Sequence, residues 1–581
     1  MSAISFEPTD EQVSVFNHDG SAFISACPGA GKTRVLTERA RRLFQGIASG
    51  RGVAFLSFTQ AAVCELEARL RDEQLLPSPV FPSFVGTFDS FVWQFLVAPF
   101  GAKGSSARPR LIPDVGQMVV KPFTSAHPLT LSCFCPVTGA IFEQAAKRKG
   151  FDPSGKPDSQ IQQYRTAAMR LRLRLNECGH MGFDEVRAAA IDRIKTPLVS
   201  KRIAAALAAR FVEVVVDEAQ DCNEEDLELI TWLRDSGMSV KVVCDPHQSI
   251  YQFRGGVTNH LFAFEETFPP EQRKRLTGNF RSTSNICKAI AQFRPPSVRG
   301  FADESRGPFR DDATPIRILS YRGQSVPASV GLSFHSLLED AGIDATFAPI
   351  VAATNRSGSA AAGQPRPTDS NHRTIRLAEA VTTFAFAGGV HDLTSAIDRA
   401  HEILLELEGH LDDRSYHQYL RESGIDAGIW RPRVISILRA LRFDPCQHSD
   451  ARGWHAAAKL LLSNELTVCG GHSISQKLKW NSALGTALAS APVNSAMPRT
   501  IHSVKGAEFP AVCVVTTKTL KAILDFLETG EPDSRAEEAR KLYVAASRAE
   551  RLLVIAAPRS QAERLSTHLS GQGAVITISE I

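Results

Sequence analysis

Ala26-Cys27-Pro28-Gly29-Ala30-Gly31-Lys32-Thr33 stands between a strand-like run and a helix-like one. Residues 21–26 are short and mostly apolar, and beyond the octapeptide Leu36, Ala40, Leu43 and Phe44 recur on one helical face. Strand, glycine loop and helix in that order make a phosphate cradle. Glycines let backbone N–H groups turn inward around phosphate oxygens, and the helix N-terminus adds positive potential. Lys32 can reach the β and γ phosphates of a nucleoside triphosphate, and the Thr33 hydroxyl can ligate Mg²⁺. A plain glycine turn is the rival reading, and Gly-Lys-Thr with both flanking elements argues against it. Ala26 replaces the first glycine of the general pattern, a mild departure.

The same grammar continues outward. Residues 53–57 are apolar and β-compatible, and Val63, Leu66 and Leu70 follow at helical spacing. Two βα units in a row imply a parallel sheet covered by helices. From about residue 100 to 200, Pro- and Gly-punctuated loops precede basic helical segments, among them Arg170, Arg172 and Arg174; this reads as an insertion, and the arginines as a solvated helix face or a duplex-facing stripe. Residues 212–216 and 240–244 restore the α/β pattern. Each run is broken once by a charge, Glu213 or Lys241, and is followed by an acidic residue where central parallel strands carry ligand sites. Strand candidates recur at 316–320 and 350–354. Residues 357–370, rich in Gly, Ala, Ser and Pro, read as flexible and lead into a mostly helical segment to about 498. Strands at 511–516 and 552–556 then flank a helix near 536–546.

The whole chain has 581 residues, 43% of them hydrophobic and 22% charged. At about 100 to 200 residues per unit this predicts three or four structural units with real cores, and it excludes wholesale disorder or a coiled-coil rod. Sixty-six Lys and Arg against 62 Asp and Glu leave +4, so any polyanion site must be local. No apolar run approaches the roughly 18 residues of a membrane helix. Eleven scattered cysteines read as reduced thiols in a cytoplasm. Cys133-Phe-Cys135 lacks the second pair that a zinc or iron–sulfur site needs.

Asp217-Glu218 follows the strand at 212–216. A carboxylate there can hold the Mg²⁺ bound at Thr33, while the adjacent Glu orients and deprotonates the attacking water. Alone, an acidic pair after a strand is a solvated helix cap; with the phosphate loop it completes a nucleoside triphosphatase.

With Asp217-Glu218-Ala219-Gln220-Asp221 in view, the sequence resembles the superfamily 1A helicases, the UvrD/Rep/PcrA group, with some likeness to the RecB helicase domain. Gln12 in Thr-Asp-Glu-Gln resembles the Q motif, Ser57 to Ala62 motif Ia, Gly86 to Phe91 motif Ib, and Gly182 to Glu185 the block before motif II. Asp245-Pro-His-Gln248-Ser-Ile-Tyr251-Gln-Phe253-Arg254-Gly255 is very like motif III. Asn279-Phe280-Arg281-Ser282 resembles motif IV, Ile501 to Phe509 motif V and Leu542 to Ala549 motif VI. Any one block is weak; all of them in family order are highly specific.

The resemblance implies two RecA-like P-loop modules built on parallel sheets, each interrupted by a mostly helical insertion: module 1A at 1–95 and 180–275, insertion 1B at 96–179, module 2A at 276–370 and 500–581, insertion 2B at 371–499. It also implies roles. The loop from Ala26 through Cys27, Pro28, Gly29, Ala30 and Gly31 to Lys32, with Thr33, holds ATP. Gln12 reads adenine, Arg34 and Phe280 sandwich it, and Glu508 accepts from the ribose. Arg281 and Arg548 are arginine fingers from the second module, and Gln248 reports the γ-phosphate to the DNA side. With Lys32 and Glu218 they form the catalytic set, and Thr33 and Asp217 hold Mg²⁺. Phe58, Tyr251 and Phe253 stack bases of single-stranded DNA. Thr59, Thr87, Arg254, His502 and Lys505 are backbone or coupling contacts. Phe280 stands where Tyr is frequent and Phe253 where Trp is common. Asp89 replaces a frequent His and puts an anion near the expected DNA track.

ATP and Mg²⁺ are thus the expected ligands, and single-stranded DNA and its junctions with duplex the expected partners, with movement 3′ to 5′ in the cytoplasm and no membrane contact. Three functions compete: an autonomous repair or replication-restart helicase; a translocase or DNA-sensing ATPase working with a separate nuclease, as short UvrD-like proteins of antiphage systems do; and a nucleotide-driven scaffold that does not unwind.

Overall fold

A computed structural model describes residues 7–46, 50–76, 78–101, 105–112, 115–250, 258–300, 303–323, 325–363, 372–386, 390–411, 416–444, 446–469, 471–488 and 496–581. The chain divides into two compact units. One comprises Met1–Phe100, Arg187–Gly363 and Asn494–Ile581; the other comprises Gly101–Val186 and Gln364–Val493.

Two parallel sheets of six strands form the first unit. One is made of β1 (Ala22–Ala26), β2 (Gly52–Ser57), β3 (Phe84–Thr87), β4 (Phe211–Val216), β5 (Ser239–Cys244) and β6 (Arg273–Leu276). Their spatial order is β6-β1-β5-β4-β2-β3, every pair parallel. The other contains β7 (Ile316–Tyr321), β8 (Ile350–Ala352), β9 (Pro498–Thr500), β10 (Phe509–Val515), β11 (Ala549–Pro558) and β12 (Ile576–Glu580). It runs β9-β8-β10-β11-β7-β12, again all parallel. These are RecA-like modules, and β2, β4, β5, β10 and β11 read as near-continuous Val, Ile, Leu and Ala because helices cover both faces of a parallel sheet. Because β1, β5 and β4 are neighbours, the phosphate loop, Asp245 and Asp217 leave the sheet side by side at its C-terminal edge.

The charges that interrupt the two central strands now have a cause. Arg39 from the helix Lys32–Gly46 grips Glu213 with Nε to Oε1 at 3.0 Å and Nη2 to Oε2 at 2.7 Å. Ser239 Oγ donates to the same carboxylate at 2.9 Å, and Lys241 Nζ lies 3.9 Å from it. Lys241 also donates to the carbonyls of His18 and Gly20, so both buried charges are met without water.

Two expectations need correction. The strand at 350–354 ends at Ala352, since Thr354 is the N-cap of a helix, Asn355–Ala361. That helix occupies the start of the stretch read as flexible. Its small residues are there for close packing: a Cβ on Gly358 would come within 3.2 Å of Pro498 Cβ. Residues 364–370 lie outside the described residues.

The second unit packs the helix Asp158–Glu177 through Tyr164 and Ala168 onto Leu129, Leu131 and Phe134. A second core gathers Leu377, Leu407, Leu438 and Trp454 from the helices Arg373–Ala385, Val390–Glu408, Ala427–Ala440 and Ala451–Glu465. Of the basic stripe, Arg172 is not solvated: it is largely buried, pairs with Glu185 and donates to the Phe134 carbonyl at 3.2 Å. Among the described residues no helix is long and apolar enough to cross a membrane.

Glu213→Ala removes the carboxylate that Arg39 grips from the covering helix and that Lys241 faces, and should lower unfolding free energy by about 3 kcal/mol, the usual cost of removing one partner of a buried pair. Urea denaturation of the purified chain measures this, and a loss under about 1 kcal/mol would contradict the structural role given to the pair.

Candidate nucleotide site between the two modules

The loop after β1 returns on itself because Gly29 and Gly31 adopt φ of +69° and +72°, where a Cβ is strained. Gly29 has a second constraint. A Cβ there would strike Arg281 Cβ and Asn279 Oδ1, each at 2.7 Å, and the Phe280 N–H donates to the Gly29 carbonyl at 2.8 Å. The segment leading into the second module is therefore bonded directly to the phosphate loop. Asn279 Oδ1 accepts from the N–H groups of Arg281 and Ser282 at 2.8 and 2.9 Å, fixing the turn that aims Arg281.

Cys27 through Arg34 line a cavity of about 700 Å³ together with Thr59, Asp217, Glu218, Asp221, Gln248, Phe280, Arg281, His502, Lys505, Glu508 and Arg548. Residues of both modules thus face one space. Lys32 Nζ donates to Glu218 Oε1 at 2.7 Å, and Asp217 Oδ1 accepts the Glu218 N–H at 2.9 Å. Glu218 has φ +58°, left-handed for a non-glycine residue, a conformation that costs energy and is held here by the bonds of Lys32 and Gln220 to its carboxylate. Burial would depress the Lys32 ammonium, but Glu218 and Asp217 outweigh it and hold it above the usual lysine range. Burial would likewise raise Glu218; Lys32 and Lys505 overcome it and push the carboxyl down. Asp217 moves the other way: burial, with Glu218 beside it, lifts it to about 6 against the pull of Lys32.

Opposing side chains meet across the cavity. Arg548 Nη2 donates to Gln248 Oε1 at 2.8 Å, and Lys505 Nζ reaches both oxygens of Asp221 at 2.6 and 2.7 Å. Within the second module, Arg281 donates to the Ser547 carbonyl at 2.8 Å and pairs with Glu508. Arg548 is 2% exposed and bonds to neutral oxygens of Gln248, Val544 and Ser547; burial, reinforced by Arg281, depresses it to about 9. An anion beside it would reverse that depression.

Other expected residues fall variously. Gln12 is buried; its Nε2 donates to the Ala30 carbonyl at 3.1 Å and its Oε1 accepts the Thr9 N–H at 3.1 Å, so the amide braces the phosphate loop from behind. Ala26 ends β1 in the core. Arg34 lines the cavity and pairs with Glu38 and Glu73. Glu508 meets Arg281. Phe58 stacks on Phe88 with centroids 5.2 Å apart, while Thr59 and Thr87 cap the helices that follow them. His502 and Lys505 line the same cavity. Asp89 pairs with Arg187 at 2.6 Å, and Arg187 also bonds Asp226 at 2.9 Å, so its charge is answered within the fold. Tyr251, Phe253 and Arg254 lie outside the described residues. Reading the sequence alone missed the Asp221–Lys505 pair and the bracing by Asn279. Both lie inside the quoted blocks; Asp221 and Lys505 pair only when the modules face each other, whereas Asn279 shapes a local turn through the N–H groups of Arg281 and Ser282.

Residues 8–269 match the model of the UvrD/REP helicase N-terminal domain, and residues 494–560 that of the UvrD-like helicase C-terminal domain. The chain is 28% identical over 276 residues to DNA helicase II of Haemophilus influenzae, covering 46% of this chain and 37% of that protein. It is 26% identical over 285 residues to the putative ATP-dependent DNA helicase YjcD of Bacillus subtilis (48% and 37%). It is 27% identical over 290 residues to the ATP-dependent DNA helicase PcrA of Staphylococcus epidermidis (48% and 39%). The matched part thus spans less than two fifths of each of these relatives. With more than half of the residues inside the two matched segments, and both modules converging on one phosphate loop, the chain belongs to the UvrD/Rep/PcrA family of helicases.

Proposed function

We propose that the chain hydrolyses ATP and uses the cycle to move 3′ to 5′ along single-stranded DNA, unwinding duplex at junctions in repair, recombination or replication restart. One observation carries the reading: Arg548 of the second module lies 2.8 Å from Gln248 of the first, in the same cavity as Lys32 and Glu218. A triphosphate on the loop is then a ligand that both modules can grip, and a γ-phosphate contacted from both sides biases closure.

The residues divide the chemistry. Backbone N–H groups of the loop and Lys32 bind the β and γ phosphates. Phe280 and Arg34 flank the base, and Glu508 accepts from the ribose once Arg281 turns to phosphate. Thr33 and Asp217, one hydroxyl and one carboxylate in the cavity, suit Mg²⁺, which keeps several waters and shares phosphate oxygens instead of needing a full protein cage. Among the described residues no group of three or more His, Cys, Asp or Glu could form such a cage. Held by Thr33 and Asp217, the ion would supply positive charge against the phosphates.

Lys32 also governs the base. Its bond holds the Glu218 carboxyl down, which makes Glu218 a poor proton acceptor. An ammonium drawn onto the phosphates loosens that hold, so substrate binding itself arms Glu218 to orient and deprotonate water. Arg281 and Arg548 then stabilise charge on the transferred phosphoryl group. Phe58, Thr59 and Thr87, at the C-terminal ends of β2 and β3, supply stacking and backbone contacts for the strand, and His502 and Lys505 couple that grip to the cavity.

Lys32→Ala should abolish ATP binding, whereas Glu218→Gln should bind ATP with about wild-type affinity and lose at least about 10²-fold in kcat. Fluorescent-nucleotide titration and steady-state hydrolysis check both; near-normal turnover in either variant would remove the assigned mechanism. Chelating Mg²⁺ should stop hydrolysis reversibly.

Poly(dT) should raise wild-type kcat at least about tenfold and Arg548→Ala should lose about 10³-fold of it. Equal rates with and without DNA would favour the scaffold, and a strand-displacement assay separates unwinding from translocation alone.

A further inference from the structure

Behind the cavity, five buried side chains form one polar chain between the modules. Gln248 Nε2 donates to Asp245 Oδ2 at 2.8 Å, and the Tyr543 hydroxyl donates to the same oxygen at 3.3 Å. Arg294 Nη2 lies 3.2 Å from the Tyr543 hydroxyl oxygen and donates to it, and Arg294 pairs with Asp303. None of the five is more than 8% exposed. Arg294 and Asp303 stand outside every block that carries the family resemblance.

The direction of each bond matters. A glutamine amide is nearly symmetric in shape but not in chemistry, since one end only donates and the other only accepts. With Asp245 ionised, it can accept from Nε2 and from the Tyr543 hydroxyl at once, and Gln248 Oε1 is left facing the donor Arg548. A flipped amide would set donor against donor. Asp245 is fully buried and keeps an anion only if a cation offsets its desolvation. Arg294 is placed to do so, one hydroxyl away, with its guanidinium carbon 5.5 Å from the Tyr543 ring centre. Asp303 balances the remaining charge. Gln220 ties the other side, accepting the Asp245 N–H at 3.1 Å while donating to Glu218.

We propose that Arg294 is a positioning residue for hydrolysis: through Tyr543 and Asp245 it fixes the sense of the Gln248 amide, so that Gln248 Oε1 holds the Arg548 finger until a γ-phosphate takes it. This rests on the ATPase reading above and adds to it a residue, and a role for Tyr543, that the motif blocks do not supply. An Arg–Asp pair serving stability alone would leave turnover of the folded protein untouched; a positioning role moves kcat and spares nucleotide affinity.

The test uses the full chain, poly(dT), ATP and a fluorescent ATP analogue. Arg294→Gln and Tyr543→Phe, the second removing a single hydroxyl, should each lower DNA-stimulated kcat about tenfold or more while nucleotide Kd stays within about threefold. Arg294→Lys should restore at least half of the rate. Combined with Gln248→Ala, Arg294→Gln should add little further loss, because both act through one chain. Wild-type kcat in Tyr543→Phe, or losses that add in full with Gln248→Ala, overturns the proposal. Should Arg294→Gln not fold, Tyr543→Phe and Arg294→Lys decide alone. Absence of DNA-stimulated hydrolysis in the wild type would instead bring down the ATPase reading, and this inference with it.

Discussion

Charge carried into a buried cleft must be answered, within each module and, at Lys505 and Asp221, between the two. Lys32 meets Glu218, Lys505 meets Asp221 and Arg281 meets Glu508, each a cation and a carboxylate in one cavity. Arg548 is the exception among these four, bonded to neutral oxygens and depressed by burial. Such a site is built to exchange partners. In the proposed cycle a triphosphate would supply the negative charge that Arg548 lacks and compete with the carboxylates for Lys32 and Arg281, so that its binding would rewrite contacts on both modules at once. On this proposal, coupling between chemistry and domain closure would follow from electrostatics in a low-dielectric cleft, with no separate transmission device.

The backbone strengthens that coupling. Phe280 donates to Gly29, and Gly29 has no room for a Cβ against Arg281, so the phosphate loop and the start of the second module move as neighbours. Gln12 and Asn279 play matching supporting parts, one bracing the loop from behind and the other shaping the turn that aims Arg281. Both are buried amides whose value lies in direction, as with Gln248. The candidate site is thus framed by two amides, Gln12 and Asn279, that lie outside the cavity lining.

Much of the fold was legible because parallel strands buried on both faces leave a strong signature: the apolar runs at 212–216 and 240–244 became β4 and β5 almost residue for residue. The phosphate loop and Asp217-Glu218 were legible for the same local reason. Long-range pairing was not. Glu213 and Lys241 look like flaws in a strand until Arg39 arrives from 174 residues away in sequence, and Arg294 finds Tyr543 across 249 residues. Small residues misled at 357–363, where close packing and flexibility share one composition. Asp89, read as an anion near the expected DNA track, is paired with Arg187, and Lys505, read as a backbone or coupling contact, lines the cavity and pairs with Asp221.

The most direct measurement is a crystal structure of the Glu218→Gln chain with ATP, Mg²⁺ and a short oligo(dT). We expect the guanidinium groups of Arg281 and Arg548 within about 3 Å of γ-phosphate oxygens, with Lys32 off residue 218 and on the phosphates. A triphosphate held by the first module alone, with Arg548 still bonded to Gln248 and pointing away from it, would contradict the claim that both halves of the chain grip one nucleotide.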